Sequence, residues 1–391
     1  MRKAPVILTL FMLVGFLGAC AGQPLAEKPA EVAVEHLLSG TAIFGRPVNA
    51  VELPQDPVMS LTAEMRRFLA DIAPGASPQR RLVTLIKAFE AQKFHIEYDE
   101  ATTLTAAQTF HKRRGNCLSF TLMMVAMARE LGAEAYFNQV VVPPVWSHDE
   151  AQTFVVYRHV NMVSKDPRGR RVVDFNLAAY DPAYDQRRLD DTSAFSLYYS
   201  NRGVEFMRAG EGEKAFLYLR KALELRPEIS DLWANLGAFY SHFGHYSEAE
   251  QSYRQALYLN NINLVAMSNL ARLYRYSGRE GLANAYAERA RHHRERNPYY
   301  LYYQARDAYE QGEYKRAEKR LRRAVWHHDD HRFHFLLGLT RFQLGDMAAS
   351  RQSFKEAFAL VSSLYTANIY KRKLGLLLNG FAQAKSATSL R

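Results

Sequence analysis

The sequence predicts an α+β domain followed by an all-α solenoid of stacked helical hairpins. Two observations lead there. Residues 57–132 carry apolar residues at helical spacing, and the chain then turns to three Val-, Phe- and Tyr-rich segments of period two, AYFNQVVV, TFVVYRHVNMV and RRVVDFN. Beyond them, small residues recur in four columns at steps of 34, 34, 34 and 33 residues. Composition allows both parts: 48% hydrophobic and 23% charged residues give a 391-residue chain enough apolar material for packed cores.

The first residues read as an address. Met1-Arg2-Lys3 is a basic start, and PVILTLFMLVGF is an apolar run too short to span a bilayer comfortably. Leu17-Gly18-Ala19-Cys20 closes it. This quartet resembles the lipobox of bacterial lipoproteins. The resemblance implies a signal peptide over 1–19, cleavage before Cys20 and lipidation of Cys20, so that the protein reaches the membrane through a lipid anchor. Ala21, in place of an aspartate, implies the outer membrane of a bacterial envelope, facing the periplasm. A plain secretory signal and an uncleaved anchor are the alternatives. Residues 20–56, with Pro, Ala and Glu and little periodicity, read as a lipidated tether. The formal charge is +11, and +9 once Arg2 and Lys3 are gone. A basic chain suits anionic wall polymer or anionic lipid as neighbours, or simply a solvated surface, and the exported address argues against nucleic acid.

Residues 57–180 form the α+β domain. SLTAEMRRFLADIA is a helix that Ser60 can cap, and Ser77-Pro78 opens a second through LVTLIKAFE. TAAQTFHKR is a short segment, and CLSFTLMMVAMAREL is a buried helix stopped by Gly132. KDPRGR is the turn between the last two strands, and residues 181–195 are a connector.

With Cys20 lipidated, Cys117 is the one free thiol and no internal disulfide can form. It lies in RRGNCLSF, where Gly115 and Asn116 tolerate the sharp backbone that leads into a helix. Cys117 then stands at the helix start. There the macrodipole and unpaired N–H groups favour thiolate over thiol, and the same amides can hydrogen-bond an oxyanion formed in front of the sulfur. His159 and Asp174 lie in strands joined by the turn. Adjacent strands run about 4.8 Å apart, and pairing His159 with Asp174 centres the hairpin inside Asp166-Pro167-Arg168-Gly169. The competing reading is an inert, buried cysteine on an apolar helix.

Gly115-Asn116-Cys117 at a helix start, followed along the chain by a strand-borne His159 and Asp174, resembles the transglutaminase-like fold in its papain-like bacterial form. The likeness is densest in TAAQTFHKRRGNCLSFTLMMVAMARELG and covers 57–180. It implies Cys117 as nucleophile, His159 as general base and acid, and Asp174 as orienter. It also implies acyl transfer from a peptide or protein amide, either to water, as a cysteine peptidase or amidase, or to an amine, as a cross-linker. Many relatives carry an aromatic residue two places after the histidine, as His-Ala-Trp; this chain has His159-Val160-Asn161. No side-chain oxyanion donor is identified, and Gln108 is left unassigned. His148-Asp149 in PPVWSHDE reads as a loop over the site, with Trp146 as a substrate wall.

The repeat columns are Gly203, Gly237, Ala271, Ala305 and Gly338, then Gly210, Gly244, Gly278, Gly312 and Gly345, then Ala215, Ala249, Ala283, Ala317 and Ser350, and lastly Ala222, Ala256, Ala290, Ala324 and Ala357. Small residues sit where two helices of a hairpin approach closely, glycine sits between the helices, and Trp233, Phe239, Tyr240 and Tyr253 fill the stack. This resembles the tetratricopeptide repeat, with five units over 196–364 and a capping helix and tail over 365–391. The resemblance implies a concave face bearing Arg272, Arg275, Tyr276, Tyr299, Tyr302, Arg306 and Tyr309, able to hold an extended or acidic protein segment. A solvated basic surface is the alternative. HHDDH at 327–331 falls at a repeat junction and reads as a solvated turn rather than a metal site, and His292-His293 as a basic helix end. With no His-Glu-x-x-His, paired Cys-x-x-Cys or P-loop, neither a metal nor a cofactor is expected.

The sequence thus predicts a membrane-anchored periplasmic protein whose cysteine domain performs acyl chemistry and whose repeats bind a substrate or docking partner. The alternative is a non-catalytic repeat scaffold for envelope protein complexes. A wall-associated amidase acting on peptidoglycan stem peptides shares the same site and differs in substrate.

Overall fold

The computed structural model describes residues 31–90, 94–140, 158–166, 169–175, 186–361, 367–372 and 374–375. The signal segment, Cys20, Trp146, His148 and Asp149 lie outside the described residues, as do Pro167 and Arg168 of the hairpin turn and the tail from 376.

Much of the segment read as a tether is folded. Helices α1 (Glu31–Ser39) and α2 (Thr41–Phe44) dock onto the second half of the chain, and an exposed 3-10 turn (Ala50–Glu52) follows them. EVAVEHLLS supplies Leu37, fully buried, and the Tyr240 hydroxyl donates to the Leu37 carbonyl at 2.7 Å. The Asp56 carboxylate accepts from the hydroxyls of Tyr198 at 2.6 Å and Tyr218 at 3.0 Å. Burial and that carboxylate together push both phenols well above their ordinary range.

Helix α3 (Ala63–Ala70) is capped by Thr62, not Ser60: the Thr62 hydroxyl accepts from the Met65 amide at 3.3 Å. Helix α4 (Pro78–Glu90) starts at its proline as expected. A short parallel pair, β1 (Glu97–Tyr98) and β2 (Arg114–Gly115), brackets α5 (Ala106–Lys112) and delivers the chain to α6 (Cys117–Glu130), which is buried over most of its length. Against α6 lies an antiparallel sheet of β3 (Ala135–Val140), β4 (His159–Asp166), β5 (Gly169–Val173) and β6 (Gln186–Leu189), in the order β5-β4-β3-β6. Strand β6 falls within the residues read as a connector. Its sequence, QRRL, offers no apolar alternation because it is an edge strand.

The hairpin register differs from the expected one. Asp166 pairs with Gly169 and Met162 with Val173, so Asp174 continues the ladder opposite Asn161 rather than His159. A slip of two residues leaves every side chain on the same face, and alternation along a strand therefore cannot detect it.

Five helical hairpins follow. They are α7 (Asp191–Arg208) with α8 (Gly212–Leu225), α9 (Ser230–His242) with α10 (Tyr246–Leu259), and α11 (Leu264–Tyr276) with α12 (Glu280–Arg296). The last two are α13 (Pro298–Glu310) with α14 (Tyr314–His327) and α15 (His331–Gln343) with α16 (Met347–Leu360). The glycine column ends the first helix of each pair at φ between +71° and +82°, a backbone region that side chains disfavour. Where the helices cross, a Cβ placed on Gly237 would stand 2.6 Å from the Tyr253 ring. One buried apolar cluster runs from Leu37 to Ala290, joining the α+β domain to the first three hairpins, and smaller clusters fill the last two. The HHDDH junction is solvated only in part: His328 and Asp329 are exposed, whereas Asp330 and His331 are buried. Asp330 is buried, caps α15 through the Arg332 amide at 2.8 Å and also binds that arginine's guanidinium, while His331 lies 2.7 Å from the Tyr370 hydroxyl. No helix among the described residues is long and apolar enough to cross a membrane.

The close crossing at Gly237 predicts that Gly237→Ala destabilises by about 1–3 kcal/mol, because the added methyl must displace a packed ring. Gly281→Ala in α12 meets nothing within 4 Å and should be neutral or stabilise by up to about 1 kcal/mol. Urea denaturation of the two variants checks the pair; equal losses would show that the crossing is not tight.

Candidate functional site, a thiol, an imidazole and a carboxylate

Cys117 is the first residue of α6. Gly115 has φ of +153°, and a Cβ there would lie 2.7 Å from Ser119, so the approach needs glycine. Asn116 is the N-cap: its Oδ1 accepts from the Ser119 amide at 3.0 Å, and its Nδ2 donates to the Thr103 hydroxyl at 2.8 Å. The N–H groups of Cys117 and Leu118 are among those that a helix start leaves without partners inside the helix. Gln108 instead closes a capping box on α5, with Oε1 accepting from the Thr105 amide at 3.1 Å.

Thr121, one turn into α6, has its hydroxyl 2.7 Å from the Cys117 carbonyl and 2.9 Å from the Val160 carbonyl. It ties the helix start to β4 beside His159. His159 Nε2 lies 2.8 Å from Asp174 Oδ2, and Cys117 stands close enough to the ring to act on its charge. The His159 side chain is 11% exposed and that of Asp174 0%. Burial disfavours a charged ring, but the hydrogen bond and charge of Asp174 and the nearness of Cys117 outweigh it, and the His159 pKa is raised to about 10.

Asn161, two residues after His159, is fully buried and donates from Nδ2 to Asp174 Oδ2 at 2.8 Å. A carboxylate only accepts, so the Asn161 amide must point its nitrogen there and its oxygen away. That oxygen accepts from Asn138 Nδ2 at 2.8 Å, and the Asn138 oxygen accepts from Arg170 at 3.0 Å. Asn138 and Gln186 are joined as well, at 3.1 Å. The polarity of this chain across β6, β3 and β4 is therefore set from the carboxylate outward. Its signal in the sequence was two amides, Asn138 and Asn161, within strand segments; Gln186 lay in the segment read as a connector.

The repeats hold both halves of the site. Arg158, next to His159, donates from Nε to Asp231 of α9 at 2.6 Å, and Glu205 of α7 accepts from the Thr103 amide at 2.6 Å, beneath Asn116. Burial raises the Glu205 pKa against the pull of Thr103 and Arg202. A cleft of about 470 Å³ lined by Phe89, Phe94, Phe120, Phe175, Tyr98 and Arg171 adjoins Asp174.

The seven repeat residues expected on a partner face do not form one free surface. Tyr299 and Tyr302 pack on Phe333 of the next hairpin, each ring 5.2 Å away, and Tyr309 packs on Tyr314 at 5.4 Å. Burial lowers the Arg272 pKa, so this guanidinium is partly withdrawn too. Arg306 lies 5.1 Å over Tyr303. Arg275 and Arg306 are exposed, and Tyr276 is 74% exposed.

Five antiparallel helical hairpins with small-residue crossings define a repeat protein, and the tetratricopeptide repeat family matches residues 218–251 and 302–363. The chain carries tetratricopeptide repeats in its C-terminal half. It belongs with a protein of Methanocaldococcus jannaschii, "Uncharacterized protein MJ0572", to which it is 35% identical over 69 residues, 18% of this chain and 80% of that protein. Among solved structures it is similar to MamA, at 18% identity over 42% of this chain and 91% of that one, with a TM-score of 0.24. YrrB, described as a TPR protein with an unusual peptide-binding site, matches at 18% identity over 45% of this chain and 92% of that one, TM-score 0.24. MamA from Desulfovibrio magneticus RS-1 matches at 16% identity over 44% and 96%, TM-score 0.25.

Folded His159 keeps its proton to about pH 10, whereas an unperturbed histidine releases it near 6.5. The stabilisation that this proton brings is complete below pH 6.5 and is lost as pH rises through 10. The urea midpoint of the wild type should therefore fall between pH 6.5 and 10 more steeply than that of His159→Gln. Parallel pH profiles would contradict the raised pKa.

Proposed function

We propose that the α+β domain is a transglutaminase-like cysteine enzyme acting on peptide or protein amides, and that the repeats bring it its substrate or partner. The observation that carries this reading is the convergence on His159 of the Asp174 carboxylate, at Nε2, and of Cys117, at the start of a fourteen-residue helix. In this reading the proton of Cys117 passes to the imidazole and the sulfur attacks as thiolate. The sulfur adds to the carbonyl carbon, and the oxyanion is met by the N–H groups at the helix start. The C–N bond then breaks as the imidazolium gives its proton to the departing amine, leaving a thioester. His159, now neutral, takes a proton from water or from an acceptor amine as that oxygen or nitrogen adds to the thioester carbonyl; the C–S bond then breaks, and the acyl product leaves with the thiolate restored beside the imidazolium. Cys117 is the nucleophile, His159 the acid and base, Asp174 the orienter, and Asn161 fixes the orienter. Lipidation at Cys20 and an outer-membrane address facing the periplasm complete the reading.

A second reading is a non-catalytic protein-binding scaffold, and the family matches within the repeats favour it. The exposed Arg275, Tyr276 and Arg306 are the residues we assign to a protein partner in either case.

Iodoacetamide alkylation of the folded protein separates the two. At pH 6.5 the wild type should react at least about tenfold faster than His159→Ala. Equal rates leave only the scaffold. In single-turnover acylation by an activated ester, Asn161→Ala should be slower than wild type by at least about tenfold with the thiol intact, because Asp174 loses a fixed donor. An unchanged rate would remove Asn161 from the site.

A further inference from the structure

Helix α14, YKRAEKRLRRAVWH, buries Ala317, Leu321 and Ala324 against its neighbours. The opposite side holds Lys315, Arg316, Lys319, Arg322 and Arg323, all exposed, and Trp326, 81% exposed. Of the nearby carboxylates, Glu318 is drawn to Arg341 at 3.0 Å, whereas Glu313 pairs with Arg316 of this face at 2.7 Å. Lys315, Lys319, Arg322, Arg323 and Trp326 line a concavity of about 640 Å³ together with Arg296 of α12, Glu318 and His327. An indole left in water beside a dense cationic field is the pairing that suits a bilayer interface. The ring sits at headgroup level, and Lys and Arg meet the phosphates.

The fold says which way this side faces. Helices α1 and α2 pack on α10 and α8, the second helices of hairpins two and one. In a stack of hairpins the second helices share one side of the array, so α8, α10, α12 and α14 lie along it together. The chain therefore joins the array on the side that carries the patch. Residues 21–30 separate α1 from Cys20, a reach of at most roughly 36 Å. An acidic polypeptide would match the charge, but it gives no reason for the exposed indole or for the shared side. We propose that the α14 face rests on an anionic phospholipid surface and lays the second-helix side of the array against the membrane. The orientation, though not the lipid contact itself, rests on the anchor reading of Cys20.

The test uses the chain from residue 21, which keeps every described residue and has no lipid, with vesicles of phosphatidylcholine containing about one-third phosphatidylglycerol. Sedimentation should show binding that weakens with salt and falls at least about tenfold in Lys319→Glu/Arg322→Glu/Arg323→Glu. Tryptophan emission should shift to the blue on binding, and Trp326→Phe should abolish the shift. No binding to anionic vesicles at low salt, binding undiminished in the triple variant, or capture of poly-glutamate in preference to vesicles would each overturn the proposal. Labelling of the full chain with a palmitate analogue, lost in Cys20→Ala, tests the anchor separately, so the two readings fail independently.

Discussion

The Asp174 carboxylate has no exposed surface, and a charge placed there is tolerated only if its partners answer it. The neighbouring strand answers with two residues on one face: His159 brings a ring nitrogen and Asn161 an amide. The rest of the local design follows from this pairing. The imidazole keeps its proton, Asn161 can take only one orientation, and Asn138, Arg170 and Gln186 complete the chain. Polar side chains inside a sheet are costly singly, but here each satisfies the next, and the network is rigid for that reason.

That rigidity extends into the repeats. Asp231 grips Arg158 beside the imidazole, and Glu205 supports Thr103 under the cap of the cysteine helix. The apolar cluster running from Leu37 to Ala290 makes the α+β domain and the first hairpins one packed body.

Legibility in the sequence followed physical redundancy. The hairpins could be read because five copies repeat the same steric demand, most plainly at Gly203, Gly237 and Gly338, where a Cβ would strike the facing helix. The face of His159 and Asp174 could be read from alternation, but their register could not, since a two-residue slip costs the pattern nothing. Asn161 was obscured because a lone amide in an apolar strand names no partner, and its partner became visible only once the ladder was known. Strand β6 and helix α1 were hidden for a related reason. Each is short, and its burial is decided by a distant surface, β3 in one case and α10 in the other.

The most direct test is nuclear magnetic resonance titration of the His159 ring in the wild type and in Asp174→Asn. The account predicts a wild-type midpoint raised to about 10 and a return toward 6.5 when the carboxylate is neutralised. A wild-type midpoint at or below 6.5 would contradict it.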